Sequence, residues 1–482
     1  MKKFYIILLL FFSLILSNSF LFAQTFDGDW SIALVTDDDN TNGTNQRTMA
    51  VAATTGENNF VALVSRPSTS EYYLVGYKNA TDSTGRLGAS FSGATDPAQT
   101  LWLNGFDQVF MDKVWDIAAL GNLIFVPSND AGYNILVFEL KDDSVYTYPK
   151  RMSTKTNPFA ADSLWAIDVN SSGQVFVTTQ GNETTPSKVL IYDSNSSEWS
   201  SGFSAEPLQT ITLPDNGLAQ GVTSNNDGTV VYVSNSLNGK IYAYVGNITD
   251  GYVLAPSFNY ERLDYVDSAN VAAPMSMEFM DDNNILFAAV DTDINGINSY
   301  WFGRTYLINP NTGEIVDTID AAKWNLDNAG QYDNHVNNLT SGYTSTFDVS
   351  IDENKNIYSQ SYYGWTIEKW VYSSTLPTIE LTITGIEKDD STIPTTFTVS
   401  QNYPNPFNPS TTIEFSITER SPVSLKVYNV NGELVTTLVN NAEFESGNYK
   451  VTFDASRLAS GTYIYNLTNG NNTISKKMTL IK

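Results

Sequence analysis

A strand-turn-strand sequence motif, which we call the repeated phrase, recurs along most of the chain and limits the folds that the chain can adopt. Each copy has a short apolar strand, a polar turn rich in Asn, Asp or Gly, and a second apolar strand. Six copies occur between Thr25 and about Thr375, and the residues that we align in their first strands are Val51, Ile117, Ile167, Val222, Met277 and Val349. A third strand usually follows, as in KVLIYD from Lys188. Short β units repeated in this way predict a fold assembled from similar small sheets.

Each predicted sheet is too small to bury both of its faces alone. Radial packing of such sheets buries these faces and leaves only short, protected edges, which is the arrangement of a β-propeller. A four-stranded blade needs about 40–50 residues, so the wider gaps between copies leave room for insertions or for one more blade. We therefore predict an all-β chain whose body, residues 25–383, is a six-bladed propeller, with seven blades as the alternative.

The amino-acid composition excludes several kinds of chemistry. The chain has no cysteine and a single histidine, His335, in a polar, loop-like stretch, which rules out disulfides, thiolate nucleophiles and His-rich metal centres. The formal net charge of −26 argues against a nucleic-acid partner and against anionic membranes, because both attract basic patches. This charge favours a soluble exported protein, and binding of divalent cations is the alternative interpretation.

The N-terminus indicates a secretory signal peptide at residues 1–23. Lys2 and Lys3 form a charged start, Phe4–Leu16 is an apolar core, and the predicted cleavage point lies between Ala23 and Gln24. The apolar run is short for a membrane span. No other segment is long and apolar enough to cross a bilayer as a helix, so we expect no transmembrane helix in the mature protein.

The C-terminal part of the chain, residues 396–482, has a different pattern. It opens with QNYPNPFNPSTTIEF (Gln401–Phe415), whose prolines fix an extended backbone and remove donors. Short strands with period-2 alternation follow, and Asn431-Gly432 is a strong hairpin signal. This pattern predicts a small Ig-like β-sandwich. The charged, polar segment before it, residues 384–395, is interpreted as a linker.

The motifs QNYPNPFNPSTTI, LKVYNVNGELV, FDASRLASGTYIY and KKMTLIK, in this order, resemble the C-terminal sorting domain of the type IX (Por) secretion system. The resemblance implies export across the outer membrane of a Gram-negative bacterium, with the outer-membrane secretion and sorting machinery as partner. It also implies later removal of the module and release or surface attachment of the body. The implied sorting-motif residues are Asn402, Pro404, Asn405, Pro406, Phe407, Pro409, Gly432, Gly461 and Lys477.

The repeated phrase of the body resembles the NHL, YVTN and gluconolactonase-like group of propellers, most closely at Gly221–Val245. Gluconolactonase-like enzymes hold a divalent cation on the propeller axis with Asn, Asp and Glu. Two positions depart from that pattern, because Gln220-Gly221 stands where the family has Asn-Gly and Asn235 where it has Asp. Amides are weaker ligands for hard cations than carboxylates. The candidate catalytic carboxylates are Asp116, Glu278 and Asp348, which either face the axis or face solvent in a wet channel.

The segment DTDING places Asp291, Asp293 and Asn295 at alternate positions before Gly296, which is the first half of a calcium loop. The glutamate of an EF-hand would fall at Phe302, so an EF-hand is excluded. Calcium at this half-loop is one hypothesis, and an ordinary turn is the other, because Asp and Asn favour turns.

These observations support a secreted or cell-surface binding protein that contacts a glycan or a surface protein through loops at one propeller face. A metal-dependent lactonase-like hydrolase or a glycan lyase is the alternative, and a structural surface-layer component is a third. The sequence contains no P-loop, dinucleotide fingerprint, HExxH or GxSxG context. Fold alone does not choose among these functions.

Overall fold

The protein is all-β in the part of the chain that the structure describes. A computed structural model describes residues 26–35, 47–66, 71–80, 100–102, 114–129, 135–141, 145–147, 163–194, 207–260, 273–291, 304–329, 346–361, 366–389, 394–455, 458–470 and 472–482. These ranges contain eight four-stranded sheets and one α-helix, α1, at Ala321–Ala329. The predicted signal peptide and His335 lie outside them.

Six sheets form the body, and in each of them neighbouring strands are antiparallel. The first strand of the chain, β1 (Trp30–Val35), belongs to the sixth sheet. Sheet 1 contains β2 (Arg47–Ala53), β3 (Phe60–Arg66), β4 (Glu71–Tyr77) and β5 (Thr100–Trp102). Sheet 2 contains β6 (Ala118–Leu120), β7 (Leu123–Pro127), β8 (Ile135–Leu140) and β9 (Val145–Thr147). Sheet 3 contains β10 (Leu164–Val169), β11 (Gln174–Thr179), β12 (Pro186–Asp193) and β13 (Gln209–Asn216).

The remaining body sheets follow the same plan. Sheet 4 contains β14 (Val222–Ser224), β15 (Val230–Asn235), β16 (Lys240–Asn247) and β17 (Gly251–Leu254). Sheet 5 contains β18 (Ala273–Met280), β19 (Ile285–Asp291), β20 (Arg304–Ile308) and β21 (Ile315–Asp320). Sheet 6 contains β22 (Thr346–Ile351), β23 (Ile357–Ser361), β24 (Thr366–Tyr372) and, at its outer edge, β1.

The two ends of the body meet in sheet 6. Trp30 of β1 pairs with Tyr372 of β24, and the centroids of their rings lie 4.9 Å apart. The backbone N–H of Gly28 donates to the Tyr372 hydroxyl at 2.7 Å, and the Trp30 indole donates to Asp317 at 2.9 Å. The N-terminal strand therefore completes a sheet whose other three strands come from the end of the body.

The six sheets contact one another in a cycle. The first strand of each sheet contacts the first strand of the next, and β22 contacts β2. Six hydrophobic cores lie between successive sheets, and one of them joins sheet 6 to sheet 1 through Tyr358 and Phe60. These two rings are 5.2 Å apart. Each sheet thus buries both faces against its two neighbours, which is what the repeated apolar strands require.

After β24 the chain crosses the turns of sheet 5 in an extended conformation. Asn283 donates its side-chain amide to the Leu376 carbonyl at 2.9 Å, and Asn284 donates to Ile379 at 2.8 Å. We call residues 373–389 the connector, and within it Ile383 is 8% exposed and packs in the core between sheets 4 and 5. This segment is not a further strand of the last sheet.

The C-terminal module has two sheets around one core. Sheet 7 contains, in spatial order, β25 (Ile386–Asp389), β30 (Gly447–Asp454), β27 (Ser410–Ile417) and β26 (Thr398–Val399). Sheet 8 contains β29 (Leu434–Phe444), β28 (Ser421–Asn429), β31 (Gly461–Asn469) and β32 (Asn472–Leu480). The strand β25 lies within residues 384–395, the segment interpreted as a linker from its charged composition. In the described part of the chain, no helix has the length and apolar character needed to cross a membrane.

Candidate functional site

Four acidic side chains lie close together where the first strands of the body sheets meet. Asp116 precedes β6, Asp168 lies in β10, Glu278 in β18 and Asp348 in β22. The three aspartates are buried and Glu278 is partly exposed. The structure therefore brings together all three predicted catalytic candidates, Asp116, Glu278 and Asp348, and adds Asp168. We call these four residues the carboxylate cluster.

The three aspartates of the carboxylate cluster accept hydrogen bonds from backbone groups of neighbouring sheets. One carboxylate oxygen accepts from the next first strand in each case: Asp348 from Val51 N–H at 2.6 Å, Asp116 from Ile167 at 2.9 Å and Asp168 from Ser224 at 2.8 Å. Asp116 and Asp348 also accept from the N–H of their own following residue, at 2.8 and 2.9 Å. These carboxylates satisfy strand N–H groups that would otherwise be buried without a partner.

Burial raises the pKa of every member of the carboxylate cluster, and the charges of other members add to this for Asp116 and Glu278. Burial raises the pKa of Asp168 and that of Asp348 to about 7, although hydrogen bonds from backbone N–H groups oppose the shift. Burial, and then the charge of Asp348, raises the pKa of Asp116 well above its ordinary value. Burial, and then the charge of Asp168, does the same to the pKa of Glu278. At neutral pH the cluster therefore holds protons that isolated carboxylates would have lost.

Six further side chains line one small cavity together with two members of the carboxylate cluster, Asp116 and Asp348. The residue two positions before each aligned first-strand position faces the same place, and we call the six together the collar: Met49, Trp115, Trp165, Gln220, Met275 and Phe347. Trp115 and Trp165 stack with ring centroids 4.5 Å apart and ring planes 3° apart. The cavity that the collar shares with Asp116, Asp348 and Ser276 has a volume of about 10 Å³. This is room for about one water molecule.

The collar and Asp168 were missed in the sequence although a signal for both was present. Asp168 follows the aligned residue Ile167 as Glu278 follows Met277. The collar lies two residues before the aligned position in every copy, but its members are chemically mixed, so no shared residue type marks it. Alignment of the copies at both offsets would have found them.

Gln220 and Asn235, the two amides singled out in the sequence, lie in different surroundings. Gln220 belongs to the collar, and its backbone N–H donates to Ser234 Oγ at 3.2 Å. Asn235 ends β15 and donates its side-chain amide to the Asn216 carbonyl at 3.1 Å. Among the described residues, no group of three or more acidic or histidine side chains is arranged to hold a metal ion. Asp293 and Asn295, with Asp291 at the end of β19, form a predicted calcium loop that extends outside the described residues.

The sorting motif is anchored at its start by Asn402, which is 2% exposed. Its side-chain amide donates to the Pro404 carbonyl at 3.0 Å and to Thr411 Oγ at 2.9 Å. Its backbone N–H donates to the Tyr465 hydroxyl at 2.9 Å, and that hydroxyl donates to the Ser400 carbonyl at 2.7 Å. Asn402 therefore fixes the extended segment to both sheets of the module.

The middle of the motif is fixed to the last strand of the chain. Asn405 Oδ1 accepts from the Thr479 N–H at 2.9 Å, and the Phe407 N–H donates to the Thr479 carbonyl at 3.0 Å. The Phe407 ring is 2% exposed and lies 6.0 Å from that of Phe453. Pro404 and Pro406 lie between these anchors, and Pro409 follows them, with its carbonyl accepting from the Ala455 N–H at 3.0 Å. The motif is therefore part of the folded module.

The other motif positions are Gly432 in a turn, Gly461 at a strand start and Lys477 within β32. Gly432 has φ +83° in the turn between β28 and β29, a conformation that favours glycine. Gly461 begins β31 and pairs with Leu480. Lys477 is exposed, and its carbonyl accepts from the side-chain amide of Gln401 at 2.7 Å.

Residues 401–482 match the family described as "Secretion system C-terminal sorting domain". The match confirms the resemblance seen in the sequence. It indicates that the protein is secreted and attached to the cell surface, and that the module interacts with a secretion system. It covers the C-terminal module only.

Comparison with solved structures gives similarity over most of the chain at low identity. A Lactobacillus plantarum protein is 9% identical, with 84% of this chain and 87% of that chain covered and a TM-score of 0.40. The periplasmic gluconolactonase of Pseudomonas aeruginosa is 10% identical, with 83% and 86% covered and a TM-score of 0.39. Regucalcin, a calcium-binding protein from Agrobacterium tumefaciens, is 8% identical, with 74% and 95% covered and a TM-score of 0.37. No curated protein matches the chain.

Proposed function

We propose that this protein is an exported, non-catalytic binding protein of the bacterial surface. Its six body sheets are the blades of a six-bladed β-propeller, and its C-terminal module is an Ig-like sorting domain of a type IX-like system. The cyclic contacts of the first strands and the six inter-sheet cores support the blade number. The ligand is a glycan or a surface protein that binds at one propeller face.

One observation favours a binding function over a catalytic one. Two of the three candidate catalytic carboxylates, Asp116 and Asp348, already accept strand N–H groups and line, with the collar, a cavity of about 10 Å³. A catalytic acid or base must come within hydrogen-bond reach of its substrate, and ligand sites usually have volumes of several hundred Å³. Asp116 and Asp348 therefore act as links between blades.

A panel of lactones and polysaccharides, with added calcium, magnesium or zinc, tests the absence of catalysis. We expect the purified body to bind a surface polymer or protein and to turn over no member of the panel. Binding is measured by isothermal titration calorimetry against each soluble member and turnover by product release. Metal-dependent turnover that Asp116→Asn or Glu278→Gln abolishes would contradict the binding function.

The alternative is a metal-dependent lactonase-like hydrolase or a glycan lyase, and one specific observation favours it. The pKa of Asp168 near 7 and the raised pKa of Glu278 suit proton transfer at neutral pH. In such an enzyme substrate would contact Glu278, which is the partly exposed member of the carboxylate cluster. The same panel decides between the two functions.

We also propose a route of export for the chain and calcium as its cofactor. A signal peptide at residues 1–23 leads the chain to the periplasm, and the sorting module then takes it to the outer surface of a Gram-negative bacterium. Cleavage in or near residues 384–395 separates the body from the module. Calcium, held by Asp291, Asp293 and Asn295, is the one cofactor that the sequence suggests.

A further inference from the structure

Two isoleucines of the connector, three residues apart, belong to different hydrophobic cores. Ile383 is 8% exposed and packs in the body core between sheets 4 and 5. Ile386 is also 8% exposed and packs in the core of the C-terminal module. The passage from one core to the other is therefore completed within Thr384-Gly385.

The strand that contains Ile386 covers an edge of the module. β25 pairs with residues 448–451 of β30 in an antiparallel register that sets Ile386 opposite Val451 and Glu387 opposite Lys450. Without β25, this part of β30 would have a row of unpaired backbone N–H and C=O groups. The family match begins at residue 401 and does not include β25.

The junction is held closely against the body. A Cβ atom on Gly385 would lie 2.3 Å from Cγ2 of Val253 in β17, so this position accepts only glycine without movement. The N–H of Asn440 in the module donates to the Pro256 carbonyl of the body at 3.3 Å. An open groove of about 730 Å³ separates Val253 from the outer face of sheet 7, at Glu414 and Lys450.

We propose that the edge of β30 is a strand-docking site, that β25 of the same chain is its occupant, and that the module works in export only with β25 in place. The functional sorting unit then begins at Gly385, some fifteen residues before the family match. This inference rests on the proposed export function. It predicts that residues outside the recognised motif decide whether the module is sorted.

The matched variants Ile386→Asp and Ile383→Asp in the full-length chain test this. Both place a carboxylate at an equally buried position of the connector. We expect Ile386→Asp to reduce the exported protein about tenfold or more and Ile383→Asp to change it less than about twofold, because only the former leaves the edge of the module open. Equal losses in the two variants, or normal export of Ile386→Asp, would overturn the proposal.

A disulfide between β25 and β30 provides a second measurement that does not depend on misfolding. The chain has no cysteine, so Glu387→Cys with Lys450→Cys introduces one defined pair across the register. We expect the cross-linked chain to form and to be exported like each single-cysteine variant. Retention of the cross-linked chain alone would show that β25 must leave the edge, and failure to cross-link would show that β25 does not occupy it.

Failure of this proposal is distinguishable from failure of the export function. If the unaltered chain stays in the periplasm of a host with the secretion system, export itself is refuted. If the unaltered chain is exported and Ile386→Asp is exported equally, only the role of β25 is refuted.

Discussion

At the scale of single residues, the carboxylate cluster makes the body sensitive to pH. The pKa of Asp168 rises from 3.8 to about 7 on folding, mainly through burial. Between these two pH values the folded state binds more protons than the unfolded state, so the free energy of unfolding falls as the pH rises. The loss begins near pH 4 and is complete above about pH 7. Asp348, whose pKa also rises to about 7, acts in the same direction.

Asp168→Asn should therefore stabilise the body at pH 8 and leave it nearly unchanged at pH 4. The amide oxygen still accepts the Ser224 N–H that the carboxylate accepts at 2.8 Å, while the buried charge is lost. We expect a gain on the order of 1–3 kcal/mol at pH 8. Thermal unfolding at both pH values measures it, with the exposed Glu353→Gln as control. A lower stability of Asp168→Asn at pH 8 would contradict the assignment of a buried charge.

Asn402 should contribute far more to the stability of the module than Lys477, which is an exposed residue of the same sorting motif. Asn402→Ala removes the donors to Pro404 and Thr411 from a position that is 2% exposed. We expect a loss of roughly 1–3 kcal/mol, and less than about 0.5 kcal/mol for Lys477→Ala. Chemical denaturation followed by tyrosine fluorescence, with export of both variants in parallel, checks this. Equal effects would mean that Asn402 is only a recognition residue.

At the scale of strands, most of the architecture could be predicted, because the signals are local. The alternation at Ile413, Phe415 and Ile417 predicted strands, and all three side chains lie in the core of the module. The repeated phrase predicted the first two strands of each body sheet. Local signals did not reveal that β1 pairs with β24, because residues 30 and 372 are far apart in the chain. They also concealed β25, in which three charged residues follow a single buried isoleucine.

The attachment of β1 should depend on Leu34, which is 3% exposed and packs in the core between sheets 6 and 1. Leu34→Asp places a charge in that core and should cost roughly 2–5 kcal/mol, with early proteolysis before residue 47. Ser31→Asp lies on the same strand but is exposed, and should change stability by less than about 0.5 kcal/mol. Limited proteolysis and thermal unfolding compare the two. Similar behaviour of both variants would show that β1 does not close the body.

The predicted calcium loop begins at Asp291, the last residue of the strand β19. If Asp291, Asp293 and Asn295 bind calcium, occupancy raises the melting temperature of the body by mass action. Melting curves in calcium and in chelator, with Asp293→Asn as the control variant, measure this directly. Identical curves for the unaltered protein would remove the hypothesis.

At the scale of the whole molecule, the body and the module are joined closely but have separate hydrophobic cores. Among the residues that the structure describes, the core of the module begins at Ile386 and the six body cores end at Ile383. Stability of the body should therefore not require the module. Its six sheets already bury their faces against one another, and the connector is bound through Asn283 and Asn284.

Deletion of Ser400–Lys482 should leave a folded body that remains in the periplasm. The deletion removes the matched sorting domain and most of sheets 7 and 8, but none of the inter-sheet cores of the body. We expect the melting transition of the body to be retained, while the exported fraction falls to background, because the secretion machinery has no module to bind. Cell fractionation and calorimetry of the periplasmic protein measure the two outcomes separately. Export of the shortened chain would refute the role of the module, and an unfolded periplasmic product would refute the independence of the two cores.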